Sequence, residues 1–286
     1  MGKFTAVDGT RLAYHRTGEG DPLICLPGGP MQASAYLGDL AASSVRLDLR
    51  GTGESAVPAD PATYRCDRQV DDVEALRVHL GLDQIDLLGH SAGASLAILY
   101  ATRYPERVRR LVLLSPSPRV VGLDITDEDR RELAEARRGE PWFAGAFAAF
   151  ERIWAGEPTE DDWAAIAPFL YGRWDAASQA NVAREATEIN VEAARQYYAD
   201  GALDPDATRA ALTDLQVPVL LTAGEHDVSL PPKRAAEYAA LFPHAELAVQ
   251  PGGGHFPWVD DPEWLAATFL RATRSSSAAA DPGRTP

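Results

Sequence analysis

The chain is poor in cysteine, in positive charge and in long apolar runs, and each shortage excludes a class of protein. It has 2 cysteines in 286 residues, Cys25 in an apolar strand-like run and Cys66 in a polar stretch. Two cysteines give no disulfide framework, and neither stands at metal-ligand spacing. Against 42 Asp and Glu there are only 27 Lys and Arg, a formal charge of −15 and a pI near 4.8. Nucleic acid and anionic membranes both require a basic surface, so neither is expected as a partner. No apolar run approaches the roughly 18 residues needed to cross a bilayer, and residues 1–20 lack a basic-then-apolar signal. The expectation is a soluble cytoplasmic protein. Neither a metal nor an organic cofactor is expected, and no internal repeat is found.

What is present is an alternation of strands and helices in a chain long enough for one α/β domain, with or without an insertion. Segments 3–7 and 11–16 flank the tight-turn signal Asp8-Gly9-Thr10 and predict an antiparallel hairpin. Short apolar strands follow at 23–26, ending in Pro27-Gly28-Gly29-Pro30, and at 44–49, ending in Arg50-Gly51-Thr52-Gly53. Segment 67–80 has helical spacing, with Val70, Val73, Leu76, Val78 and Leu80 mostly on one side and Asp67 as N-cap. A strand at 85–88, a helix at 94–104 and a strand at 110–114 come next. A strand at 217–223, a helix at 232–241, a strand at 245–249 and a helix at 262–273 complete the alternation. Such repetition predicts a mostly parallel sheet covered by helices on both faces. The Ser-, Ala- and Pro-rich tail 275–286 has little to bury and is expected to be disordered.

The alternation stops between residues 118 and 212. That stretch is helical and polar, yet it holds 4 of the 6 tryptophans, Trp142, Trp154, Trp163 and Trp174, and much of the remaining aromatic content. An insertion between two sheet strands sits above the carboxyl edge of the sheet, where open α/β folds bind ligands. The expected organisation is therefore a core of 1–117 and 213–274 with a helical cap, 118–212, over the site. Most cap aromatics are expected to pack together, and a few to line an apolar pocket.

The chemistry centres on Gly89-His90-Ser91-Ala92-Gly93. A G-x-S-x-G match arises by chance in roughly one chain in twelve of this composition. Here the match lies between a strand and a helix, the setting of a nucleophile elbow, in which a serine is presented on a strained backbone. A serine hydroxyl needs a base. Of His15, His79, His90, His226, His244 and His255, only His255 follows a flexible loop, Pro251-Gly252-Gly253-Gly254, just past the last strand. The histidine needs an acid to fix its tautomer. Asp227 stands in the turn Gly224-Glu225-His226-Asp227 at the end of a buried strand, with Glu225 as the alternative. The oxyanion needs donors. The N–H of Ala92 is one, and the other falls to Gly29, with Gly28 as alternative, since Pro30 has no N–H.

With Gly28-Gly29-Pro30 after an apolar strand, Asp48-Leu49-Arg50-Gly51-Thr52-Gly53-Glu54-Ser55, the elbow, and Gly253-Gly254-His255, the chain resembles an α/β-hydrolase of the proline iminopeptidase (prolyl aminopeptidase) group over about residues 3 to 272. The order Ser91, Asp227, His255 is that of α/β-hydrolases. The Asp48–Ser55 segment reads as a structural loop, in which Arg50 and Ser55 hold the turn. Where the group usually has His before its Gly-Gly-Pro, this chain has Pro27. Where the group tends to place Trp after the nucleophile, it has Ala92, which leaves a roomier acyl pocket. The resemblance implies recognition of a cationic α-amine by carboxylates of the cap. Segment 184–198 offers Glu185, Glu188 and Glu192, with Glu188 and Glu192 one helical turn apart on one face as the candidates. The function expected is a serine hydrolase working through an acyl-enzyme, an aminopeptidase or amidase releasing a small N-terminal aminoacyl group from a short peptide or amide. An esterase or thioesterase on a small apolar acyl substrate is the alternative. A non-catalytic ligand-binding receptor of the same fold is a remoter one. Epoxide hydrolases and dehalogenases use an aspartate where this chain has Ser91.

Overall fold

A computed structural model describes residues 1–279, and the side chains of residues 1–272. Eight strands form one sheet: β1 Gly2–Thr5, β2 Arg11–Thr17, β3 Leu23–Leu26, β4 Ser44–Leu47, β5 Ile85–His90, β6 Val108–Leu114, β7 Val219–Gly224 and β8 Ala245–Gln250. Their order is β1-β2-β4-β3-β5-β6-β7-β8. The β1/β2 and β2/β4 pairs are antiparallel, and every later pair is parallel. The first hairpin and all of the expected strands are present, with ends shifted by up to two residues.

Side-chain alternation divides the core between the two faces. Ile24, Leu26, Leu87, Leu111, Leu113, Val219 and Leu221 pack beneath α1 (Cys66–His79), α2 (Ala92–Arg103) and their neighbours. The residues between them, Cys25, Leu88, Val112, Leu114 and Leu220, pack on the opposite face with Tyr36, Leu37, Phe256 and Leu265. Strands apolar on both faces are what a parallel sheet between two helical layers demands.

Between β6 and β7 run α3 Asp127–Ala136, α4 Phe143–Trp154, α5 Glu160–Ala165, α6 Ala176–Glu188, α7 Val191–Tyr197 and α8 Pro205–Thr213. The only β-pairing there among the described residues is an isolated bridge between Gln32 and Ile189. Three of these helices begin with a reciprocal capping box, at Thr126/Asp129, Thr159/Asp162 and Asp175/Ser178. After β7 come α9 Pro232–Ala239, α10 Pro257–Asp260 and α11 Pro262–Ala279.

Two local expectations need correction. Asp67 does not cap α1: the N-cap is Arg65, and Asp67 lies inside the first turn, where it pairs with the Arg65 guanidinium at 3.0 Å. An acidic residue there complements the helix dipole equally well from within the helix. The last helix runs on to Ala279, taking in the first residues of the 275–286 tail; residues 280–286 lie outside the described residues. Among the described residues, no helix is long and apolar enough to cross a membrane.

The loop after β4 is a structural device. Asp48 accepts the Ser34 N–H and hydroxyl at 3.0 and 2.6 Å and the Glu54 N–H at 3.0 Å, and pairs with His15 at 2.8 Å. Arg50, 4% exposed, donates twice to Asp72 at 2.6 Å and also pairs with Asp8. Ser55 donates to the Asp48 carbonyl and accepts from Ala13 N–H. These groups bind one another and hold the loop.

Candidate active site

Ser91 stands between β5 and α2 with φ 50° and ψ −117°, a backbone that L-residues seldom adopt. The residues two positions away on either side, Gly89 and Gly93, are glycine for a steric reason. A Cβ on Gly89 would lie 2.5 Å from Ala94 Cα, and one on Gly93 would lie 2.4 Å from the Leu26 and Pro27 carbonyl oxygens. The strand can turn directly into a helix packed against β3 only with both side chains missing. The turn is then pinned: Ser91 N–H donates to the Leu114 carbonyl, and the Ser91 carbonyl accepts from Ala94 and Ser117. The Ser91 hydroxyl is left without a protein partner among the described residues and faces a cavity of about 660 Å³.

His255 reaches that cavity from the loop after β8. Its N–H donates to the Leu170 carbonyl at 2.7 Å. Its neighbour Gly254 donates to Asp260, whose carboxylate also takes the Gly172 N–H. Nδ1 of His255 lies 2.8 Å from Oδ2 of Asp227, which is fully buried, and Oδ1 of Asp227 accepts the Ser229 N–H at 2.8 Å. The carboxylate takes the Nδ1 proton and so leaves Nε2 as the basic nitrogen toward the cavity. Burial works against protonating His255, but the Asp227 charge and hydrogen bond, with the more distant Glu185, outweigh it and hold the imidazole above its ordinary value. Glu225, the alternative acid, points elsewhere: it accepts the Gly252 N–H at 2.7 Å.

Gly29, Pro30, Ser91, Ala92 and His255 line the same cavity. Gly28 does not compete with Gly29 as a donor, because its N–H is taken by the Tyr36 phenol oxygen at 2.7 Å. The N–H groups of Gly29 and Ala92 have no acceptor among the described residues. Ala92 is also the first residue of α2, so its N–H shares the positive end of that helix. The far wall comes from the insertion and its stems: Arg119, Ile125, Phe150, Ile153, Trp154, Trp163, Ile166, Leu170 and Tyr198. The remaining insertion aromatics mostly pack on one another. Trp142 and Phe143 meet Phe169 edge-on, and Phe143 stacks on Phe147 at 4.9 Å.

The acidic residues of 184–198 are not arranged as their spacing suggests. The helix breaks at Ile189–Asn190, so Glu188 ends α6 while Glu192 opens α7, and the two share no helical face. Pairing with the oxyanion-side loop pulls the chain out of the helix: Ala33 N–H donates to the Glu188 carbonyl and Asn190 N–H to the Met31 carbonyl. The Asn190 side chain then caps α7. The signal was the run Ile189-Asn190-Val191, two β-branched residues around a capping residue, which helix interiors disfavour. Glu188 is engaged by Gln32 Nε2 at 3.4 Å and lies 3.9 Å from Arg184, and Glu192 is exposed beside Tyr64. Neither lines the cavity. Glu185 does not line it either, but it differs from them in its surroundings. It is partly buried, its carboxylate has no hydrogen bond or ion pair among the described residues, and its charge is felt by His255, Tyr36 and Tyr171. Burial raises its carboxyl above the ordinary value, against the pull of His255.

Comparison with known proteins agrees with this architecture. The α/β hydrolase fold family matches residues 21–262, a span containing every residue of the site. The proline iminopeptidase of Heyndrickxia coagulans is 26% identical over 288 residues, covering 93% of this chain and 96% of that protein. The solved proline iminopeptidase of Mycobacterium smegmatis superposes with a TM-score of 0.75 at 24% identity, covering 97% of this chain and 100% of that one. An esterase of Exiguobacterium antarcticum superposes at 0.72 with 20% identity, over 96% and 100% of the two chains. At such identities the two structural likenesses speak to the fold, while the family match spans most of the sequence. The chain belongs to the α/β-hydrolase family.

Proposed function

We propose that this hydrolase is a serine hydrolase that works through an acyl-enzyme. The observation that carries the reading is the convergence on one cavity of a strained, unpartnered Ser91, a His255 oriented by Asp227 at 2.8 Å, and two free N–H groups on Gly29 and Ala92. Ser91 Oγ attacks a carbonyl carbon while His255 Nε2 takes its proton, and the buried Asp227 stabilises the imidazolium. The tetrahedral oxyanion rests on the Gly29 and Ala92 N–H groups. Collapse expels an amine or alcohol, which takes the proton back from His255. Water then releases the acyl group by the same steps in reverse. The 118–212 helices act as the cap that forms the acyl pocket wall.

The substrate favoured is a short peptide or amide with a small free-amine residue such as alanine or proline at its N-terminus. Glu185 supports this: an unpaired carboxylate near His255 is the group a desolvated ammonium requires. The likeness to proline iminopeptidases points the same way. A carboxylesterase on apolar acyl groups is the second reading, favoured by the Phe150, Ile153, Trp154, Trp163 and Ile166 wall. Matched alanyl and prolyl naphthylamides, free and N-acetylated, assayed beside p-nitrophenyl acetate with Ser91→Ala as control, separate the two. Cleavage of the free-amine amides, lost in Ser91→Ala, is expected. Cleavage of p-nitrophenyl acetate alone would establish the esterase, and undiminished turnover by Ser91→Ala would remove the serine mechanism altogether.

A further inference from the structure

Three groups behind the site form a directed chain of hydrogen bonds with no assigned role. His90, the residue before the nucleophile, is 2% exposed. Its Nε2 lies 3.0 Å from the His255 backbone carbonyl, and its Nδ1 lies 2.8 Å from the Tyr36 hydroxyl. The same hydroxyl accepts the Gly28 N–H at 2.7 Å.

Chemistry fixes every proton. A carbonyl oxygen only accepts, so the His90 Nε2 carries the hydrogen and Nδ1 of the neutral ring is an acceptor. The Gly28 amide only donates, so Tyr36 accepts from it and gives its own proton to Nδ1. Burial holds the His90 imidazole well below its ordinary value, and burial likewise keeps the Tyr36 phenol protonated. Burial thus favours the neutral form of both rings that the chain of hydrogen bonds requires. The His90 ring is also packed on both sides: it meets His255 at 5.0 Å and Trp258 edge-on at 4.8 Å. A Cβ on Gly28 would sit 3.2 Å from its Nδ1.

We propose that His90 is a positioning residue that, through Tyr36, locks the Gly28–Gly29 oxyanion loop and the His255 base loop into one register on either side of Ser91. This rests on the serine-hydrolase reading. The two halves of the catalytic apparatus come from loops after β3 and β8, far apart in sequence. Each loop has other ties, His255 N–H to the Leu170 carbonyl, Ala33 N–H to the Glu188 carbonyl and a contact of the Tyr36 and Trp258 rings at 5.9 Å, and His90 is the side chain that hydrogen-bonds to both sides. His90 touches no reacting atom and acts on the position of those that do.

The test is the rate at which a fluorophosphonate labels Ser91, together with kcat and KM on p-nitrophenyl acetate, in His90→Leu, His90→Gln, Tyr36→Phe and the double variant His90→Leu/Tyr36→Phe. Labelling is expected to slow about 10–100-fold in His90→Leu, in kcat and not KM, because one carbonyl and one hydroxyl lose buried partners. His90→Gln places an amide N–H near the former Nε2 and is expected to recover most of the rate. Tyr36→Phe is expected to lose about 5–20-fold, and the double variant to be no slower than His90→Leu, as for one coupled unit. A merely structural role gives a loss that follows the melting temperature, spares kcat per labelled site, and shows no rescue by Gln. If His90→Leu does not fold, Tyr36→Phe decides, since it deletes one oxygen and no volume. Wild-type labelling by Tyr36→Phe overturns the proposal. Ser91→Ala separates the two failures: if it still reacts with the probe, the serine-hydrolase reading falls first, whatever the His90 variants do.

Discussion

The sheet edge and the inserted helices are built by opposite rules. At the edge, backbones meet with no room for a side chain: a Cβ would lie 2.2 Å from the Gly254 carbonyl oxygen at Gly224, and 2.5 Å from the Leu170 carbonyl oxygen at Gly254. Away from the edge the insertion's Gly139, Gly145 and Gly156 have nothing within 4 Å of an added Cβ, whereas Gly172, where the insertion meets the loop after β8, is as tight as the edge, 1.9 Å from the Gly252 carbonyl oxygen. The edge fixes positions by steric exclusion and backbone hydrogen bonds. The insertion has only a small core of its own, Ala134, Ala146, Phe150 and Phe169 with Val228 from the β7 loop, and surrounds it with partly exposed aromatics. The acyl chemistry proposed above needs sub-ångström placement and would draw on the first kind of structure. The proposed substrate selection needs a wall whose side chains can be exchanged and would draw on the second.

The largest expected effect is on the edge side. Asp227→Asn should lower kcat by about 10⁴-fold by presenting the wrong tautomer of His255. The sign of the pH effect follows from the cause. Asp227 holds the His255 imidazole above its ordinary value against burial, so without that charge the imidazole falls and the acid limb of kcat/KM moves to lower pH. Glu225→Gln, two residues before Asp227 but with a carboxylate that accepts the Gly252 N–H, should stay within about threefold of wild type. Equal losses in the two variants would erase the distinction between the acid and its neighbour.

Next comes the steric rule itself. Gly89→Ala should cost about 3 kcal/mol or more, because the added methyl meets the backbone of α2 and neither strand nor helix can yield without moving Ser91. Urea unfolding measures it, and a cost below about 1 kcal/mol would show that the elbow is softer than its clearances indicate. A smaller effect tests the selecting side. Glu185→Gln should raise KM for free-amine amides about 10-fold while sparing N-acetylated ones, whereas Glu188→Gln and Glu192→Gln should shift it less than about threefold.

This contrast also explains what could be read in advance. The strands and the residues Ser91, Asp227 and His255 were legible because each occupies a position set by local rules: an apolar run, a turn at its carboxyl end, a glycine beside it. The pairing of Gly28 N–H with Tyr36, which leaves Gly29 as the donor with a free N–H, was not legible, since Tyr36 lies eight residues on in a short turn with no periodic signal. His90 carries no local signal of a positioning role, because both its hydrogen-bond partners come from segments distant in sequence. The acidic pair at Glu188 and Glu192 was misplaced because helical spacing was extended across Ile189–Asn190, where tertiary pairing with Met31 and Ala33 overrides it.

The smallest effect is the sharpest check on the insertion's side of the contrast. Gly145 lies exposed within α4, at a φ outside the left-handed region, with open space where a methyl would go. Gly145→Ala removes the entropy that glycine loses on entering a helix and adds no clash, so it should stabilise the protein by about 0.5–1 kcal/mol. Urea unfolding should give a higher midpoint with an unchanged slope, and kcat/KM should not move. A destabilised Gly145→Ala would mean that α4 is held to a tight clearance after all, and the insertion would then share the rule that governs the sheet edge. A stabilised one with altered KM would instead tie the packing of α4 to the wall formed by Phe150, Ile153 and Trp154, and make the stiffness of that helix part of substrate selection.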